Sequence, residues 1–107
     1  MTDQEINEAC ARKLGIKAKF IFNKRHEWVY FKDGNYHKLK DYCHSIEMAW
    51  EVVEFVKTKY WFQLDNHQDR EHDLWTAEFY DVDDGQIESD DSANTAPMAI
   101  CKAFLKL

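Results

Sequence analysis

From Ser45 to Lys59 the apolar residues Ile46, Ala49, Trp50, Val53 and Val56 return at helical spacing. Met48, Val52 and Phe55 widen that stripe, while Glu47, Glu51, Glu54 and Lys57 lie on the opposite side. A helix with so broad an apolar face has to bury it against another layer of secondary structure. Glu47 and Glu51 near its start, and Lys57 and Lys59 near its end, suit the sign of the helix dipole.

Two further helices flank the chain. Thr2-Asp3-Gln4-Glu5 fits a capping box, with Thr2 as N-cap and Glu5 three residues on. Ile6, Ala9, Cys10 and Leu14 then share one face, and Gly15 followed by Ile16 reads as a left-handed C-cap, which predicts a helix over residues 3–14. At the other end Thr95 is the expected N-cap and Pro97 falls in the first turn, where its missing N–H costs nothing. Ala99, Ile100, Ala103, Phe104 and Leu107 make the buried face of that last helix, which is expected to run to Leu107.

Between the helices the pattern changes to strands. Lys17 to Phe22 alternates loosely, Glu27 to Lys32 carries Trp28, Val29, Tyr30 and Phe31, and Asp33-Gly34 is a turn that can return the chain through Tyr36 to Leu39. Tyr60 to Leu64 and Leu74 to Val82 predict an antiparallel pair around a polar loop from Asn66 to His72. Asp83-Asp84-Gly85 is a further turn, with a short edge strand over Gln86 to Ser89. Trp75 and Phe79 on one face of the long strand, and Leu74 and Tyr80 on the other, suggest a sheet covered on both sides. The expected fold is α+β: one domain over residues 1–107, a three-layer α/β/α sandwich with a mostly antiparallel sheet and three helices.

Composition narrows the function classes. A chain of 107 residues with 45% hydrophobic and 15% aromatic residues can build a real core. No apolar run approaches the roughly 20 residues that a membrane-spanning helix needs. The polar, acidic start Met1-Thr2-Asp3-Gln4-Glu5 is not expected to be a signal or transit peptide. Cys10, Cys43 and Cys101 are odd in number, far apart and without a C-x-x-C, so neither a disulfide framework nor a zinc knuckle is expected. These features suit a cytoplasmic, reducing compartment.

Charge is strongly segregated within a formal net charge of -6. Arg12 to Lys40 holds nine bases and two acids, a balance of 9 - 2 = +7, whereas Asp65 to Asp91 holds one base and eleven acids, 1 - 11 = -10. The two regions either neutralise each other within the molecule or present a basic patch and an acidic surface to partners.

Tests for chemistry return little. His67 and His72, with the acids around them, sit in the expected hairpin loop, but their spacing matches neither H-E-x-x-H nor a zinc finger. Asp81-Val82-Asp83-Asp84-Gly85 resembles the start of a calcium loop, yet Gly85 at position six would put Tyr80 at position one, where a carboxylate is needed. Cys43-His44 precedes a helix whose N-terminus would lower a thiol pKa, although adjacent side chains do not point at each other. No phosphate-cradling glycine loop is available, because Gly15, Gly34 and Gly85 are each explained by a cap or turn. The expectation is no catalytic residue, no metal site and no cofactor.

The basic stretch is the best candidate for binding. It interleaves cations with rings, and Arg25, His26, Trp28, Tyr30, Lys32 and Tyr36 are the candidate residues for an anionic small ligand such as a nucleotide. Against that stands a simpler reading in which the rings are core and the lysines protect strand edges. Net acidity argues against general nucleic-acid affinity. Aromatic content leaves a homodimer open, since leftover apolar strand surface needs a cover.

Two segments resemble a known family. Asp41-Tyr42-Cys43-His44-Ser45-Ile46-Glu47-Met48-Ala49-Trp50-Glu51-Val52-Val53-Glu54 is similar to the D-Y-S-x-D-I-x-x-A-W-x-V-V-E segment of small phage and prophage proteins called phage ABA-sandwich domain proteins. Asn94-Thr95-Ala96-Pro97-Met98-Ala99-Ile100-Cys101-Lys102-Ala103-Phe104-Leu105-Lys106 resembles their T-A-P-x-A-I-C-x-A-x-L terminus, and Thr2 to Asn7 with Leu14-Gly15 matches their usual start. The pattern departs at Cys43 and Ser45, where the family has Ser and Asp. The resemblance implies an α/β/α fold, a phage or prophage source and the host cytoplasm, and it supplies no activity and no functional residues. Together these readings lead us to expect a non-enzymatic phage accessory protein. It would act by binding a host or phage protein, and would modulate a host or anti-phage defence component.

Overall fold

The computed structural model describes residues 1–68 and 73–107. Its elements are α1 (Asp3–Lys13), β1 (Phe20–Phe22), β2 (Trp28–Lys32), β3 (Asn35–Lys38), α2 (Ile46–Val56), β4 (Tyr60–Gln68), β5 (Asp73–Asp81), β6 (Ile87–Ala93) and α3 (Ala96–Leu105). The architecture is an α+β sandwich of three helices and antiparallel sheets, as the periodicities predict.

The helix ends follow from their cap chemistry. Thr2 and Glu5 make both bonds of the capping box at α1. At the other end Ile16 N–H donates to Ala11 O and Gly15 N–H to Arg12 O, both at 3.0 Å, with Gly15 at φ 102. That is a Schellman closure, which needs the left-handed backbone glycine adopts without strain. Ser45 caps α2 by accepting from Met48 N–H at 3.3 Å, so the helix starts one residue later than its cap. Thr95 has the extended N-cap backbone of α3 but makes no side-chain cap bond. Helix α3 ends at Leu105, short of Leu107.

The six strands divide into two sheets, in order β1-β2-β3 and β4-β5-β6, rather than one. In the first, Asp33 (φ 54) and Gly34 (φ 81) form a two-residue turn that pairs Lys32 with Asn35. Two consecutive positive φ values define the turn whose twist suits a hairpin. In the second, β4 and β5 pair from Tyr60↔Asp81 to Gln68↔Asp73. The ladder thus extends well past Leu64, into residues that read as loop. His67 lies in β4, and His72 lies outside the described residues.

Helix α3 packs on β5 and β6 and also meets α1 and α2. Its Ala99, Ile100, Cys101, Ala103 and Phe104 are all fully buried. The inner face of the second sheet contributes Ala77 and Phe79, both fully buried, with Phe62 against the Phe79 ring at 5.2 Å. Among the described residues no helix covers the outer face. There Trp61 (60% exposed) and Ile87 (52%) alternate with the polar side chains of Gln63, Asp65, Glu78 and Asp90, which an apolar layer could not bury without a large desolvation penalty.

Strand β6 runs over seven residues, Ile87–Ala93, where the sequence predicts a stub. Its inward side chains are small or charged, and α3 reaches both them and the strand's backbone carbonyls through polar bonds. Buried Ser89 Oγ donates to Ala103 O, Lys102 Nζ to Ser92 O at 3.1 Å, and Lys106 Nζ to Asp90 O at 3.1 Å. Asp91 pairs with Lys106 at 3.2 Å and Lys102 at 3.6 Å. Burial alone would raise the Asp91 carboxyl, but the Ser92 amide and these two ammonium groups outweigh it and hold it below the usual carboxylate range.

Candidate functional site

The first sheet is anchored to the core on one side only. Phe20 and Leu39 are buried in the core, and Trp28 and Tyr30 pack on it half-buried. Every residue of β3 is exposed, as are Phe31 and Lys32 at the tip of β2. The radius of gyration is 15.0 Å, against about 13 Å for a compact chain of this length. Among the described residues, strands β1, β2 and β3 are in extensive contact only with one another, so the sheet stands out as a projecting arm.

Asn23 builds the loop at the arm's base. Its Oδ1 accepts from Arg25 N–H and Glu27 N–H, both at 2.9 Å, and its backbone N–H donates to Glu27 O at 2.8 Å. His26 takes a left-handed φ of 60 and lays its ring 5.7 Å from Phe22.

Pairing register then decides which candidate residues share a face. Trp28, Tyr30 and Lys32 alternate onto one side of β2, opposite Phe22, Phe20 and Asn35. Trp28 packs on Phe22 at 5.2 Å, and Tyr30 meets Phe20 at 5.6 Å and His37 at 5.3 Å, so these rings serve packing as much as display. Tyr36 pairs with Phe31 on the other side and is 68% exposed. On that outer side lies a concavity of about 630 Å³, floored by Ile21, Val29 and Tyr36 and walled by Lys24, Arg25 and Lys38. Of the six candidate residues the structure thus brings Arg25 and Tyr36 together. Trp28, Tyr30 and Lys32 lie on the opposite face, and His26 sits over Phe22. Lys38 is paired to Glu27 at 3.3 Å, which places one carboxylate among the cations.

Cys43 and His44 fall in the turn before α2, and the structure disarms the thiol as a nucleophile. Cys43 is fully buried, and burial, then the charges of Asp41 and Asp3, push its pKa up to about 12. His44 is aimed elsewhere: Nδ1 is 3.0 Å from the Asp41 carboxylate and Nε2 is 2.7 Å from Asp3 Oδ2. Its pKa is raised, first by the Asp41 bond, which with the Asp41 charge and then Asp3 outweighs the opposing effect of burial. Asn7, which is buried, completes the arrangement: Oδ1 accepts from Cys43 N–H and Nδ2 donates to Asp41 Oδ1, each at 3.0 Å. Sequence reasoning missed Asp3, Asn7 and Asp41 as neighbours of this turn. Only the Asp41-Tyr42-Cys43-His44 spacing could have flagged one of them.

The acidic turn at Asp81 is a hairpin connection. Asp81 Oδ1 accepts from Asp83 N–H at 2.8 Å and Asp84 N–H at 3.2 Å, and Gly85 N–H closes onto Asp81 O at 2.9 Å. Both side-chain bonds fall on Oδ1, the pattern of an Asx turn.

Fold and surface together define a small α+β sandwich domain with a basic aromatic arm and a helix-packed core. The model of the phage ABA sandwich domain matches residues 9–105, and the chain belongs to that family. No curated protein and no solved structure matches it. Among the described residues no helix is long and apolar enough to cross a membrane.

Proposed function

We propose that this protein is a phage accessory protein of the host cytoplasm that works by binding, not catalysis, and that the arm formed by β1, β2 and β3 is its contact surface for a host or phage protein with an acidic face. The observation that carries this reading is the arm itself. It projects Phe31 (54% exposed) and Tyr36 on the face that also carries Lys24, Arg25 and Lys38, and apolar rings left in water at the tip of a sheet represent surface a partner can bury. Cations around such a ring cluster steer an acidic partner and set its orientation. The test compares host-lysate pull-downs with the wild type and with a Phe31→Ser, Tyr36→Ser, Arg25→Glu variant whose circular dichroism and unfolding midpoint match the wild type. A partner retained by the first and lost by the second supports the reading. Recovery of nothing in mild salt, or equal recovery by both, refutes it.

A second reading takes the outer concavity as a site for a small anionic ligand such as a nucleotide. Arg25, Lys24 and Lys38 would meet the phosphate and Tyr36 the base. A thermal-shift screen with mono-, di- and cyclic nucleotides checks it. A stabilisation lost in Arg25→Ala and Tyr36→Ala favours it, and no shift with any nucleotide sets it aside.

A further inference from the structure

We propose that Asp3, Cys43 and His44 form a binding site for a divalent transition metal of the zinc class, with Asp41 as the positioning residue behind His44. One ligand atom from each of the three lies within 4.8 Å of the others. A carboxylate oxygen, a thiolate and an imidazole nitrogen are the donor types such ions take. The sequence alone hides this set, because Asp3 stands 41 positions from His44 and only the packing of α1 beside the turn joins them.

Several features distinguish the cluster from a surface ion pair. His44 uses Nδ1 on the Asp41 carboxylate, leaving Nε2 directed at Asp3. A carboxylate behind a ligating histidine fixes its tautomer and ring plane and raises its basicity. Asp41 is itself held by Asn7 Nδ2, whose amide oxygen also fixes the Cys43 backbone. The arrangement runs Asn7, Asp41, His44 and then the ion, every link being a bond at about 3 Å. Cys43 Sγ is turned to the same place, 3.7 Å from Asp41 Oδ1 and from the Asp3 carbonyl.

Charge and geometry both fit. An aspartate and a thiolate supply two negative charges, which neutralise a divalent ion. Asp3 and His44 side chains are 55% and 53% exposed, so ion and water have an open approach and a fourth, solvent-facing position remains. In tetrahedral coordination neighbouring N and O ligands stand roughly 3.3 Å apart. The Asp3–His44 gap of 2.7 Å therefore has to open, a motion the exposed Asp3 side chain can make. The ion takes the place of the proton on Nε2 and displaces the Cys43 thiol proton, and both protons leave to solvent. With Asp3 in the first turn of α1 and Cys43 before α2, the ion would clamp the start of one helix to the approach of the other.

Cobalt(II) titrated into the full, reduced chain reads the site directly. One equivalent should produce a thiolate-to-cobalt band in the near ultraviolet with visible bands of tetrahedral cobalt, and zinc should abolish both. Asp3→Asn and His44→Gln alter exposed side chains and should each lose the visible bands. Asp41→Asn should keep the spectrum while weakening binding about 10- to 100-fold, which a merely structural residue would not do. Cys43→Ser should lose the ultraviolet band, and the two surface variants stand in for it if that buried change prevents folding. Absence of bands from the folded wild type, or bands that persist in both Asp3→Asn and His44→Gln, would overturn the assignment.

Discussion

Replacing Asn7 with alanine tests the joint between α1 and the turn before α2. The side chain is 8% exposed and makes two bonds of 3.0 Å, one to the Cys43 amide and one to Asp41. The two losses are unequal. Cys43 is fully buried, and an amide left there without an acceptor costs about 1–3 kcal/mol. Asp41 is exposed, keeps His44, and can replace Asn7 with water, so its loss adds at most about 1 kcal/mol. The sum is about 1–4 kcal/mol, a large share of the roughly 5–15 kcal/mol that a domain has in total. At about 4 °C or more per kcal/mol for a domain near this size, the melting temperature should fall by at least about 4 °C. Urea unfolding of wild type and Asn7→Ala, followed by tryptophan fluorescence and by circular dichroism, measures the difference. The two probes should coincide and the slope should stay unchanged. A variant within about 0.5 kcal/mol of wild type would refute the reasoning, because it would mean that water satisfies the Cys43 amide.

Other outcomes follow from the same structure. Phe79→Ala removes a fully buried ring from the centre of the second sheet and should cost about 3–5 kcal/mol, whereas Trp61→Ala on the open face should stay within about 0.5 kcal/mol; urea midpoints separate them. The depressed folded pKa of Asp91 means that its contribution is present above the unfolded carboxylate value of about 3.9 and is lost as pH falls through the lower folded value. The stability gap between wild type and Asp91→Asn should accordingly close on acidification across that window, and a gap constant down to the folded value would contradict the lysine contacts. All three cysteines are buried, so a thiol reagent at neutral pH should label none in the native metal-free protein and three after unfolding. Fast native labelling of Cys43 would restore it as a nucleophile candidate.

The helices were legible because caps and periodicity agree: Thr2 with Glu5, Gly15 with Ile16, and the stripe from Ile46 to Val56 all act locally. Strand β6 was not, because Ser89 and Asp91 face inward yet carry no apolar signal; what holds them is Ala103, Lys102 and Lys106, from a helix the chain has not yet reached. The candidate surface was legible in part. Grouping Trp28, Tyr30 and Tyr36 ignored the register set by the Asp33-Gly34 turn, under which Tyr36 sits opposite Phe31 and looks away from both of them. The turn at Cys43 was noticed for its adjacent pair, but its chemistry depends on Asp3 and Asn7, more than thirty residues earlier.

The central place of α3 carries a kinetic consequence. Lys13 Nζ donates to Phe104 O and Leu107 O across separations of 91 and 94 residues. Helix α3 gains its contacts with β6 locally, but its joint to α1 spans nearly the whole chain, and that joint has to close a large loop before it gains its reward. The β4–β5 hairpin and isolated helical turns can flicker early, but the rate-limiting barrier should fall where α3 docks. Substitutions at Ile100 or Phe104 would then slow refolding, while changes in the arm would chiefly hasten unwinding.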